Sequence, residues 1–144
     1  MLTTYVDTSV LAAYHCPEPL SEQSERRVRA LNPPVISRLT DVELHSALAK
    51  KVRRDELTEE DAQRVQELFR DHCDRGLYHT VSIQDTDFLQ ARRWMAQRST
   101  ALRTLDALHL ATANRHELRI LTADRVMNRA GRHLDLPVER LREE

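Results

Sequence analysis

Short β-prone runs alternate with helical blocks along the whole of this 144-residue chain, and that alternation most narrows the folds open to it. Residues 3–6 read as a strand. It ends at Asp7-Thr8-Ser9, three residues that favour a helix N-terminus, and residues 10–14 read as the helix that follows. Pro17 and Pro19 interrupt, and Ser21 is the expected cap of a second helix reaching Leu31, which Pro33-Pro34 stops. Val35-Ile36 reads as a short buried strand. Residues 37–54 carry Leu39, Val42, Leu44, Leu48 and Val52 at helical spacing. Thr58-Glu59-Glu60-Asp61 resembles a capping box, opening a helix with Ala62, Val65, Leu68, Phe69 and Cys73 that Gly76 ends. Residues 78–83 read as a strand, and Asp85 as the cap of a helix bearing Phe88, Leu89, Ala91, Trp94 and Met95. Residues 102–113 are apolar almost all round, which predicts a helix buried on several sides. Residues 119–122 read as a strand, Asp124 as the cap of a short helix to Ala130 ended by Gly131, and Leu136-Pro137-Val138 as an edge strand. Strands separated by helices form βαβ units. The expectation is an α/β fold, one parallel sheet with helices on both faces.

Composition narrows this further. Two glycines are too few for the tight hairpins of an all-β sandwich or barrel. With 40% apolar and 31% charged residues, the chain reads as a single globular domain over residues 1–144. No run approaches the ~18 apolar residues of a membrane span. Met1-Leu2-Thr3-Thr4-Tyr5 carries no basic leader, and Cys16 and Cys73 are too few for a disulfide framework, so a cytoplasmic protein is expected. The net charge of −1 hides a division. Residues 1–91 hold 11 basic against 16 acidic residues, and residues 92–144 hold 11 against 7. Of the 22 basic residues 20 are arginine, whose planar fork suits phosphate. A polyanionic substrate and a set of solvated helix faces both fit that bias.

In a parallel sheet, ligands bind at the carboxyl ends of the strands. Asp7 follows the first strand directly, and Asp124 follows the strand at 119–122 with one residue between. Either can also serve as a helix N-cap, although Thr8 and Ser9 make Asp7 dispensable for that task. Asp106 lies in Leu105-Asp106-Ala107-Leu108-His109-Leu110-Ala111, a segment otherwise built for the interior, where a carboxylate needs a partner or a metal. An early-turn helix acid favouring the dipole, or a partner for a nearby arginine, is the plainer account of it. Glu43 shares its helix face with Leu39, Thr40, Ser46 and Ala47, small enough neighbours to open on a cleft, although most helix glutamates are simply solvated. Were all four to converge, two such charges ~4 Å apart would repel by ~4 kcal/mol at an effective dielectric near ~20, so a compensating cation is required. Carboxylates without Cys or His select Mg²⁺ or Mn²⁺, the ions of metal nucleases.

Tyr5-Val6-Asp7-Thr8-Ser9-Val10-Leu11 resembles the opening motif of PIN-domain proteins. Leu39-Thr40-Asp41-Val42-Glu43-Leu44 with Ala47-Leu48 resembles their second, Leu105 to Ala111 their third, and Leu121-Thr122-Ala123-Asp124 their fourth. The resemblance covers essentially the whole chain and, at this length, looks most like the VapC-type toxins of toxin–antitoxin pairs. It implies a Rossmann-like three-layer sandwich around a parallel sheet of about five strands. It also implies an Mg²⁺- or Mn²⁺-dependent endoribonuclease, with water attacking a phosphodiester in line and leaving 5′-phosphate and 3′-hydroxyl ends. Asp7 and Asp106 match the principal metal ligands. Glu43 would complete the site, and Asp124 would hold a second metal or orient the attacking water. Ser9 and Thr122 match positions that support the acids by hydrogen bonds. A homodimer is implied, with a small VapB-like antitoxin crossing a groove formed by helices over residues 21–31, 39–54 and 59–76.

Arg103, Arg125 and Arg129 flank the acids in sequence and are candidates for RNA or antitoxin contact, or plain solvated arginines. His109 reads as a core or cleft-wall residue, and the seven histidines show no zinc spacing. An aspartyl-phosphate phosphatase would need an Asp where Ser9 stands. A receiver domain would need a suitably placed lysine, and Lys50 and Lys51 lie elsewhere. Two alternatives keep the same fold: a PIN nuclease of RNA processing without an antitoxin, and a non-catalytic interaction module.

Overall fold

The structure, a computed structural model, describes residues 2–143. Its elements run β1 (Thr4–Val6), α1 (Thr8–His15), α2 (Ser21–Arg29), β2 (Val35–Ser37), α3 (Arg38–Arg53) and α4 (Glu59–Asp74). The chain continues with β3 (His79–Val81), α5 (Asp85–Gln97), α6 (Thr104–Arg115), β4 (Arg119–Thr122), α7 (Arg125–His133) and β5 (Val138–Arg140). The five strands form one sheet in the order β3-β2-β1-β4-β5, and every neighbouring pair is parallel.

The pleat divides the core in two, because successive strand residues face opposite sides. Tyr5, Val35 and Ile120 face α5, α6 and α7, packing with Trp94, Leu108, Leu110, Ala111 and Met127. Val6, Ile36 and Leu121 face the other layer, packing with Val10, Leu11, Val28, Leu44 and Phe69. This is the expected three-layer sandwich. β1 and β2 are buried throughout, whereas the edge strand β3 exposes His79 and Thr80 and the edge strand β5 is only half-buried. No helix among the described residues is long and apolar enough to cross a membrane.

Element boundaries differ from expectation where a side chain has another partner. Ser21 lies inside α2, which begins after Leu20. Its hydroxyl donates to the Cys16 carbonyl (2.6 Å) and accepts from the Glu18 N–H (2.8 Å), so it fastens the preceding loop. α5 begins after Gln84, with Asp85 as its first residue, and the Asp87 carboxylate takes the Gln84 N–H (2.9 Å). Thr58 does cap α4, accepting from the Asp61 N–H at 3.0 Å. Gly76 does follow α4 with a positive φ of 71°. Gly131 does not end α7, which runs on to His133. A Cβ there would overlap the Val138 side chain, so the glycine lets α7 lie close on β5.

Candidate active site at the carboxyl ends of the strands

β1, β2 and β4 are adjacent and parallel, so whatever follows each of them meets at one edge. Asp7 stands at the N-cap position of α1, yet its side chain makes no capping bond. Its Oδ2 accepts from the Ser9 hydroxyl (2.7 Å) and from the Thr122 hydroxyl (2.8 Å), at the end of β4. Ser9 in turn accepts from the Ala123 N–H (2.9 Å), and Thr122 from the Asp124 N–H (3.0 Å). Both hydroxyls therefore hold Asp7 in register with the loop that carries Asp124. Asp7 is only 5% exposed, and these donors are what make its burial tolerable.

Asp124 is both a cap and a site residue. Its Oδ1 accepts from the Val126 N–H at 2.7 Å, while Oδ2 faces Arg103 Nη2 at 3.4 Å. Arg103 Nε lies 3.4 Å from Asp106 Oδ2, so one guanidinium spans two acids through two long contacts. Asp106, in the first turn of α6, is 9% exposed. Burial raises its carboxyl above the ordinary range. The charges of Asp7 and Asp124 raise it further, and Arg103 only partly offsets them.

Glu43 lies in the second turn of α3 and is half-buried. Its Oε1 takes a hydrogen bond from the Thr8 hydroxyl (2.8 Å) and is bound by His109 Nε2. Burial alone would raise this carboxyl. The bond from His109, its charge, Thr8 and Arg103 outweigh burial and hold Glu43 below its ordinary value. His109 is buried, with Nδ1 2.5 Å from the Tyr5 hydroxyl and Nε2 4.0 Å from Asp7 Oδ1. Because Tyr5 donates its one proton to Ser37 (2.8 Å), it accepts from Nδ1–H, while Nε2–H serves Glu43. Both ring nitrogens then carry protons. Burial would lower the pKa of such an imidazolium, but Glu43, Asp7 and Asp106 raise it above the ordinary histidine range.

The structure thus brings together Asp7, Glu43, Asp106, Asp124, Ser9, Thr122 and Arg103. Arg125 and Arg129 stand apart, exposed on α7. Among the described residues, no three His, Cys, Asp or Glu side chains form a ready metal cage. Two cationic side chains, Arg103 and His109, are threaded between the acids. The donor set still fits a hard divalent cation. Asp7, Asp106, Asp124 and Glu43 offer carboxylate oxygens only, and Asp106 and Asp124 share a single guanidinium, Arg103, through two long contacts. His109 is the functional contact that reading the acids alone misses. Its three-residue spacing from Asp106, which puts both on one face of a helix, is the signal that points to it.

Residues 4–133 match the family model of the PIN domain. No curated protein sequence matches the chain. Three solved structures share the fold. The sarcin-ricin loop cleaving toxin VapC20 of Mycobacterium tuberculosis is 17% identical, with a TM-score of 0.67 over 90% of this chain and 95% of that one. VapBC2 of Rickettsia felis, solved on a DNA fragment from its promoter, is 13% identical, with a TM-score of 0.70 over 98% and 100%. A toxin–antitoxin complex of Klebsiella pneumoniae is 18% identical, with a TM-score of 0.60 over 85% and 87%. With four ordered motifs, a β3-β2-β1-β4-β5 sheet and a family match spanning nearly its full length, the chain belongs to the PIN-domain family.

Proposed function

We propose that this chain is a divalent-metal-dependent endoribonuclease of the VapC type, the toxin half of a toxin–antitoxin pair. The observation that carries the reading is the shared neighbourhood of Asp7, Asp106 and Asp124, where burial and then the charges of Asp7 and Asp124 raise the Asp106 carboxyl. Mg²⁺ or Mn²⁺ held by these acids and Glu43 would neutralise phosphoryl oxygens and activate water. Ser9 and Thr122 hold Asp7 by one oxygen and leave Oδ1 to the cleft. His109 and Thr8 fix Glu43 as an anion. Asp124, tied down by the Val126 N–H, would hold a second metal or orient the water for in-line attack on the phosphodiester, which leaves 5′-phosphate and 3′-hydroxyl ends. Arg103 is three-quarters exposed and held by long contacts, so it transfers readily from the acids to a substrate phosphate.

A small VapB-like antitoxin as partner is supported by the toxin–antitoxin complexes that share the fold. Val42 on α3 and Leu68 on α4, 67% and 46% exposed, are open to such a partner, and a homodimer follows from the likeness to VapC-type toxins. The test is purified chain on RNA with Mg²⁺ or with EDTA, wild type beside Asp7→Asn, together with growth on induced expression. Discrete cuts that need metal and Asp7, with growth arrest, are expected. Uncut RNA from folded, Mg²⁺-supplied protein overturns the nuclease reading, and cutting without arrest overturns the toxin assignment.

A further inference from the structure

A cavity of about 410 Å³ lies beside the acids, between the segment linking α5 to α6 and the flank of α7. It belongs to none of the motif residues. Residues 98–101 line it from one side, and Val126, Arg129, Ala130 and His133, all on α7, line it from the other. No carboxylate lines it. Arg98 and Arg129 have no acidic partner among the described residues, in contrast to Arg103, Arg115 and Arg27. Arg98 ends α5 in the left-handed conformation, φ 51°, where glycine or asparagine is favoured. That turn sends residues 99–101 along the rim of the cavity, and the same segment then delivers Arg103 to Asp106 and Asp124. The other wall also begins at the acids, since Asp124 caps α7. Arg129 lies five residues further, ~7.5 Å along the helix axis. Val126, which lines the cavity, gives its N–H to Asp124, so the cavity adjoins the acid centre.

We propose that this cavity is the subsite for the nucleotide of a single-stranded RNA adjoining the scissile phosphodiester. Arg98 and Arg129 clamp its phosphate from opposite walls, and the Val126–Ala130 surface receives its ribose or base. This rests on the ribonuclease reading and extends it to substrate placement. Paired cations around an apolar floor suit a nucleotide, which has an anionic and a flat apolar part, better than an acidic peptide, which has no flat apolar part to place.

The test is fluorescence anisotropy with a short labelled single-stranded RNA of mixed sequence, in EDTA so that nothing is cut. It uses wild type, Arg98→Gln, Arg129→Gln, and Arg64→Gln on distant α4 as control. Each pocket variant should weaken binding about tenfold and lower the salt slope by about 0.7, with unchanged thermal unfolding, while Arg64→Gln binds as wild type. Equal affinity and equal salt slope in both pocket variants overturn the proposal, as does an oligoglutamate peptide that binds the pocket more tightly than RNA. The two readings fail separately. RNA held through Arg98 and Arg129 by a chain that never cuts keeps the subsite and sinks the nuclease, whereas cutting with unchanged KM in both variants keeps the nuclease and sinks the subsite.

Discussion

Asp87 and Asp106 are both buried aspartates in the first turn of a helix, one at the head of α5 and one at the head of α6, and they are treated in opposite ways. Asp87 receives Arg115 on both oxygens (2.8 and 3.0 Å), the Gln84 N–H and the Thr112 hydroxyl (3.3 Å). Burial would raise its carboxyl, but Arg115, Gln84 and Thr112 outweigh that and hold it below the ordinary range. Asp106 shares one guanidinium, at 3.4 Å, with Asp124 and faces the charge of Asp7. An acid whose surroundings complete it holds the fold together. An acid left incomplete next to other acids marks a candidate functional site.

The same change, aspartate to asparagine, should therefore give opposite results at the two sites. Asp106→Asn removes a ligand and a charge from the proposed centre. RNA cleavage should fall about a thousandfold or more, corresponding to several kcal/mol of transition-state stabilisation. Its melting temperature should stay level or rise, because repulsion is relieved. A large drop in melting temperature would place Asp106 with Asp87 as a structural acid. Asp87→Asn leaves Arg115 without its counter-charge and should cost about 2–3 kcal/mol, toward the low end because Arg115 is a quarter exposed. Thermal unfolding should shift down by roughly 5–10 °C, with cleavage per folded molecule unchanged.

Between these extremes lies Thr122→Val, which keeps the strand and removes the hydroxyl that Asp7 accepts. Single-turnover cleavage should drop about 10–100-fold with little change in stability. A loss as large as that of Asp106→Asn would show that Thr122 acts on the substrate rather than through Asp7. The smallest effect concerns a third way of burying a titratable group, keeping it neutral. His15 has both ring nitrogens buried without partners, and burial, then the charge of His72, lowers its pKa to about 4. The unfolded chain, with an ordinary histidine near ~6.5, binds the proton first. His15 thus contributes stability that is complete above ~6.5 and is lost as pH falls toward about 4, by about 3 kcal/mol in all. His15→Phe should flatten that limb in denaturant titrations between pH 7 and 4, and a limb unchanged by the substitution would assign it to other groups.

Much of the fold was legible because β1, β2 and β4 follow simple rules: short β-prone runs, each followed by helix. The candidate acids were legible for a related reason, since Asp7 and Asp124 stand at strand ends and Asp106 interrupts an apolar segment. What was not legible is pairing across the chain. Asp7 meets Thr122 from 115 residues away, Tyr5 meets His109 from 104, and Arg115 meets Asp87 from 28. No local pattern distinguishes Arg103, which reaches two acids, from Arg125 and Arg129, which reach none. Gly131 was misread for the same reason. Its necessity comes from Val138 on the neighbouring strand, and α7 itself is indifferent to it.

The central position of β1 has a consequence for the order of assembly. The first strand made must wait for β4, since Thr4 pairs with Arg119 and Val6 with Leu121. Until then its open edge is unsatisfied and Asp7 lacks the Thr122 hydroxyl. Non-local parallel pairing of this kind is slow to form, and synthesis from the N-terminus delivers its two halves far apart in time. A nascent chain halted between α3 and β4 thus holds Asp7 and Glu43 without the Thr122 hydroxyl or Asp124. The last quarter of the chain acts as the latch, and the four acids come together only once β4 has joined the sheet.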